Sequence, residues 1–210
     1  MPVTSPTHQG HRPSLLAAAV IAWSTVVIGA FVWTWKYKST PAPVSAAPAR
    51  WPAASALPRR PGRPLLVMLA HPRCSCTRAS LAELGALLQE VGPAIDALVV
   101  FVRPDGTARD WTSTDLWRTA SAMPGVRVVA DDGGRETERF GALASGTVLL
   151  YDGAGQLLFS GGITGARGHE GDNLGLRRVV ALAKEGKADR RSSPVFGCDL
   201  LGPRQPGGSP

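Results

Sequence analysis

One stretch near the start of the chain has no polar break. Leu15 to Trp35 runs 21 residues without a charge. At about 1.5 Å of rise per residue, a helix of that length spans roughly 30 Å, the hydrocarbon thickness of a bilayer. Trp33 and Trp35 suit an interfacial belt, and Lys36 and Lys38 close the run. The pattern predicts an uncleaved transmembrane anchor over 15–35 behind a polar tail at 1–14. The competing reading is a cleavable signal with Ala47-Pro48-Ala49 as its cut site, but that calls for a shorter apolar region. Residues 36–63 then lose all periodicity; Pro, Ala and Ser dominate 39–63. They read as a semi-rigid extended spacer holding the next domain off the membrane.

From residue 64 the pattern alternates between buried strands and amphipathic helices. Pro64–Ala70 and Ala97–Val102 are continuous apolar runs, as in strands covered on both faces. Between them Leu81, Leu84, Leu88 and Val91 mark one face of a helix, stopped by Gly92-Pro93. A helix over 113–122, a strand over 126–130 and a short helix over 136–143 follow. Two apolar runs, 147–151 and 156–160, flank Asp152-Gly-Ala-Gly155 and predict a hairpin. Asn173 caps a last helix. The order β-α-β-α-β-α-β-β-α implies a mainly parallel sheet with helices on both faces. The domain is expected over 64–188, with an extension at 189–210.

Composition changes this picture little. Net charge is +7, with 23 Lys and Arg residues. They are scattered and not interleaved with aromatics at helical spacing, so no nucleic-acid partner is expected. Asp131-Asp132 reads as a strand-to-helix turn rather than a paired-carboxylate site. Phosphate-binding, dinucleotide and zinc-protease motifs are absent from the sequence.

The cysteines carry the candidate chemistry. There are three: Cys74 and Cys76 one residue apart, and Cys198 near the C-terminus. Three is not a disulfide framework; it suits a reactive pair with a third partner, or a small metal site. Cys74 and Cys76 fall where a strand ends and a helix begins. Unpaired backbone N–H groups there favour a thiolate, with Arg73, Arg78 and His71 adding positive charge or a proton route. A depressed cysteine pKa is expected. A disulfide across one residue closes a small, strained ring, which favours donating or reshuffling disulfides over reducing them. His169 lies in a Gly-rich loop, Gly165 to Asn173. With His71, Cys74, Cys76 and Cys198 it would complete an N/S ligand set for copper or zinc.

This order, with a cysteine pair at the first strand-to-helix turn, resembles the thioredoxin-like superfamily. It is nearest the membrane-tethered TlpA-like and peroxiredoxin-like branches. Val128–Gly141 and Thr147–Gln156 look like their strand-helix-hairpin passage. His71–Leu84, Gly161–Asn173 and Val195–Cys198 look more specifically like RedB-type proteins. The resemblance implies an α/β thioredoxin-like fold, with a central mixed sheet and a C-terminal hairpin and helix. It also implies a thiol–disulfide oxidoreductase acting on protein thiols and needing no cofactor. Cys74 would attack, Cys76 would be its partner, and Cys198 would resolve. His71, Thr77, Arg78, Thr147 and His169 would support them. Two departures stand out. The spacing is Cys-x-Cys instead of Cys-x-x-Cys, and Gly146 occupies the place of a family cis-proline. A metal-handling protein, copper first, and a redox-inert tethered module are the competing readings. Arg12 against Lys36 and Lys38 leans the domain toward the cytoplasm. Relatives of this type work outside it, where disulfides persist, and the periplasmic side is expected.

Overall fold

In the structure, a computed structural model, residues 14–202 are described. The expected tail over 1–14, with Arg12, lies outside them except for Ser14, as do residues 203–210. The chain divides into two units, 1–37 and 38–210. Apart from Ser14, the described residues of the first lie in a helix, α1 (Leu15–Ser39), long and apolar enough to cross a membrane, with no buried residue. It runs past the charge-free segment through both lysines.

The second unit is built on a five-stranded sheet. Its strands are β1 (Leu65–Ala70), β2 (Asp96–Arg103), β3 (Val126–Asp132), β4 (Thr147–Tyr151) and β5 (Leu157–Gly161). Its helices are α2 (Ser75–Val91), α3 (Asp115–Ser121), α4 (Arg135–Arg139) and α5 (Leu174–Glu185). The strand order is β3-β2-β1-β4-β5. β1 pairs parallel with β2, and β2 with β3; β4 pairs antiparallel with both β1 and β5. The β4–β5 hairpin thus forms one antiparallel side of the sheet, with β4 beside the central strand β1 and β5 at the edge. All six β1 residues are buried, as a strand covered on both faces requires.

Helix ends follow local chemistry. Gly92 terminates α2 at φ 59°, a left-handed conformation that only glycine adopts cheaply. The Asn173 side chain accepts from Leu176 N–H at 2.8 Å and starts α5. Asp131 accepts from the Glu136 and Thr137 N–H groups at 2.9 and 2.8 Å, which makes it the anchor of α4.

Leu84 and Leu87 of α2, Leu116 of α3 and Val179 of α5 join Met68, Phe101 and Leu150 on one face. The other face carries Leu65, Val67, Val100, Leu149 and Tyr151. It is covered by Phe140 at the end of α4, by Leu200, and by Trp51 and Leu57 of the stretch read as a spacer. That stretch is not an extended tether. Trp51 packs edge-on against Phe140 and Tyr151, 5.0 and 5.3 Å between ring centres. Trp51 N–H donates to Gly155 O, and Leu157 N–H to Ala49 O, which together make an isolated antiparallel bridge between Arg50 and Gln156. Arg60 and Arg63 pair with buried Asp96 at the start of β2. The segment lacks periodicity because it is an irregular strap, held by alternate single anchors, and not because it is free.

Candidate functional site

The site is built where β1 hands over to α2. Cys74 is the last extended residue before the helix, at φ −106° and ψ 127°, and its carbonyl accepts from Thr77 N–H at 3.1 Å. This places Sγ of Cys74 by the first turn, one residue from Cys76. Both cysteines are only 5% exposed.

Cys198 closes over them from the C-terminal segment. Cys198 O accepts from Ser145 N–H at 2.8 Å, and Leu200 N–H donates to Leu143 O at 3.0 Å. The segment therefore runs beside residues 143–145, just before β4. This approach requires Gly197: a Cβ there would collide with the Ser145 carbonyl. Arg167, from the loop between β5 and α5, donates to Gly197 O and fixes the segment from the other side. The result brings Sγ of Cys198 to 2.6 Å from Sγ of Cys74. Cys198 is the partly exposed thiol of the three.

The electrostatics push one of the three thiols down and the other two up. The Cys74 pKa is pushed down to about 4. The largest cause is the hydrogen bond from the Cys76 thiol; the Cys198 thiol and the backbone N–H groups of Cys198 and Cys76 add to it, against burial. Cys76 is pushed up, first by its hydrogen bond to Cys74 and then by burial. Cys198 is pushed up to about 11, first by burial and then by the hydrogen bond to Cys74 and its charge. The expected depression is present, but its source differs. The thiolate is held by other thiols and by N–H groups rather than by Arg73, Arg78 or His71.

Those basic residues are engaged elsewhere. The Arg78 guanidinium pairs with Asp115. The Arg73 guanidinium lies over the Trp111 ring, 3.8 Å from its centre. His71 Nδ1 accepts from Arg73 N–H at 3.1 Å, and burial holds its pKa below the ordinary value despite the nearby Cys74 charge. A neutral imidazole adds no positive field at neutral pH.

Thr77 is inside the site as expected. Its hydroxyl donates to His71 O at 2.9 Å and lies 2.7 Å from the Ser145 hydroxyl, which accepts from His71 N–H at 2.9 Å. This buried network ties the β1–α2 turn to the segment before β4. Gly146 has φ 85°, its N–H donates to Leu69 O, and a Cβ on it would lie 2.5 Å from Ser80 Oγ. Among the described residues there is no cis peptide bond. Thr147 opens β4, its hydroxyl donating to Ala144 O at 2.7 Å.

His169 is exposed in the loop between β5 and α5. Among the described residues, the group of ligand atoms lying within 4.8 Å of one another comprises the three cysteine sulfurs, without His169 or His71. Ser145, Gly197 and Arg167 escaped the sequence reading. Ser145-Gly146 and Gly197-Cys198, two small-residue steps beside site residues, were the available signal.

No family model and no curated protein matches the chain. Solved structures do. A hypothetical protein of Sinorhizobium meliloti is 18% identical with a TM-score of 0.54, over 67% of this chain and 80% of the other. An uncharacterized conserved protein of Geobacillus kaustophilus is 12% identical with a TM-score of 0.55, over 70% and 80%. A weaker match, TM-score 0.44 at 20% identity over 59% and 85%, is to the pneumococcal exposed lipoprotein thioredoxin of Streptococcus pneumoniae. The mixed sheet with its C-terminal hairpin and helix, and the cysteine pair at the turn between β1 and α2, form the thioredoxin-like arrangement that the sequence resemblance implies.

Proposed function

We propose that this chain is a membrane-anchored thiol–disulfide oxidoreductase that donates disulfides to protein thiols through a Cys74–Cys198 couple. The observation that carries this reading is the 2.6 Å approach of the two sulfurs, with Cys198 the partly exposed member. In the donating direction, a substrate thiolate attacks Sγ of Cys198 in the oxidised couple. The Cys74–Cys198 bond breaks, and Cys74 leaves as the thiolate that Cys76 and the backbone N–H groups stabilise. A second substrate thiolate then attacks the substrate sulfur of the mixed disulfide, and Cys198 leaves. The substrate gains a disulfide and loses two electrons; the couple gains both. A partner disulfide must reoxidise it for turnover.

A low leaving-group pKa speeds the first step, and a stabilised reduced form makes the couple oxidising. Cys74, expected to attack substrate, thus takes the inner position. Cys76, expected as its disulfide partner, serves as the hydrogen-bond donor that sets its charge. The α1 helix and the persistence of disulfides outside the cytoplasm support a single-pass anchor with a periplasmic domain. The narrower likeness to RedB-type proteins fits a tethered redox role.

Equilibrating the full chain in detergent with glutathione redox buffers tests the reading. The expected potential lies nearer the strongly oxidising value of about −120 mV than thioredoxin's of about −270 mV. A value at or below the latter contradicts disulfide donation.

A further inference from the structure

The same three sulfurs have a second capacity. Sγ of Cys74, Cys76 and Cys198 lie within 4.8 Å of one another. A metal bound at about 2.3 Å by three sulfurs in a plane needs them roughly 4 Å apart. The three sulfurs are therefore gathered near the required spacing, and Cys74 and Cys198, 2.6 Å apart, must separate by about 1.4 Å. Cys198 is partly exposed and lies outside any helix or strand, with its backbone held by Ser145 and its neighbour Gly197 by Arg167, so a rotation of its side chain makes that adjustment.

The donor set decides the ion. Sulfur-only ligands favour soft cations, cuprous copper first, over hard ones. Zinc prefers four ligands in a tetrahedron. Among the described residues no histidine or carboxylate joins the cluster. His71 Nδ1 already accepts from Arg73 N–H. Glu83, the buried carboxylate of α2, accepts from Asn173 and Gly171 instead.

We infer that the reduced chain binds one cuprous ion through Cys74, Cys76 and Cys198, and that forming the Cys74–Cys198 disulfide ejects it. The gating half of this inference rests on the redox reading above. Oxidation consumes two of the three ligands: both sulfurs give up one electron each to a partner disulfide, which becomes two thiols, and the copper leaves unchanged in oxidation state. The site would then be loaded only in reduced protein, and each disulfide exchange would release or admit one copper ion.

The test is anaerobic titration of the full chain in detergent with cuprous ion against a coloured copper chelator, in the reduced and the glutathione-oxidised states. X-ray absorption of the loaded sample and mapping of the disulfide accompany it. The expected result is one copper per reduced chain with three sulfur neighbours. Affinity should fall by more than about 100-fold on oxidation, beyond the loss typical of an outer ligand partner. Cys76→Ser should lower the sulfur count around copper to two. A reduced chain that does not compete with the chelator, or a sulfur count unchanged in Cys76→Ser, overturns the site. Equal affinity in both states, with the Cys74–Cys198 disulfide confirmed, overturns the gate. An oxidised sample lacking that disulfide instead overturns the redox reading, while the reduced-state titration still judges the site.

Discussion

Cys74 and Cys198 stand 124 residues apart in the chain and 2.6 Å apart at their sulfurs. Cys76, one residue beyond Cys74's neighbour Ser75, hydrogen-bonds to Cys74; in the proposed mechanism it is not the disulfide partner. The division of roles follows from where the protons sit. Hydrogen bonds with the Cys76 and Cys198 thiols and with two backbone N–H groups hold the Cys74 pKa well below the usual thiol range.

This charge state has a pH signature. The Cys74 pKa is about 4 in the folded protein, against about 8.5 for a free thiol. Thiolate absorbance of the reduced folded chain should therefore correspond to one anion per molecule through the neutral range, disappearing only as pH falls toward 4. The unfolded chain should show none until pH nears 8.5. The lowered pKa stabilises the fold fully above the unfolded value and is lost on acidification; the raised Cys76 and Cys198 act oppositely, losing their contribution as pH rises. A folded chain without thiolate at neutral pH contradicts this assignment.

The partial exposure of Cys198 predicts which sulfur a substrate captures. Cys74→Ser, offered an excess of glutathione disulfide, should accumulate one glutathione on Cys198. Cys198→Ser should accumulate far less on buried Cys74. Intact mass followed by peptide mapping reads both. The reverse preference would put Cys74 at the substrate interface.

Gly197 admits the C-terminal segment against Ser145. Gly197→Ala forces a Cβ into the Ser145 carbonyl and should cost about 1–3 kcal/mol, the usual scale of overpacking. Displacing Cys198 should also slow formation of the Cys74–Cys198 disulfide. Denaturant unfolding and the rate of oxidation measure the two effects separately.

The strap predicts a stability effect far from the cysteines. Trp51→Ala removes contacts with Phe140 and Tyr151 and should cost about 3 kcal/mol, toward the lower end for large aromatic deletions. Urea unfolding of the full chain checks it; an unchanged midpoint would return residues 39–63 to the status of a free spacer.

Much of the architecture was legible because it rests on local signals. Apolar runs marked β1 and β2, Gly92-Pro93 marked the end of α2, and Asn173 marked the start of α5. The strap was not legible: its anchors, Trp51, Arg60 and Arg63, are single side chains among Pro and Ala, and isolated anchors produce no period. The β1–α2 location of Cys74 and Cys76 was legible for the same reason as the strands. Its electrostatics were not. The sequence puts Arg73 and Arg78 beside the thiols, yet Trp111 and Asp115, both distant in sequence, draw them away. Cys198 could be suspected as a partner, but its approach depends on Gly197, Ser145 and Arg167, a long-range coincidence that no spacing encodes.

The most direct test is to oxidise the full chain with glutathione disulfide, block free thiols, digest with trypsin and weigh the peptides. Cleavage after Arg73, Arg78, Arg191 and Arg204 places Cys74 and Cys76 in one short peptide and Cys198 in another. The account predicts these two peptides joined, with Cys76 carrying the blocking group. An internally bridged Cys74–Cys76 peptide, with blocked Cys198 in a separate one, would contradict it.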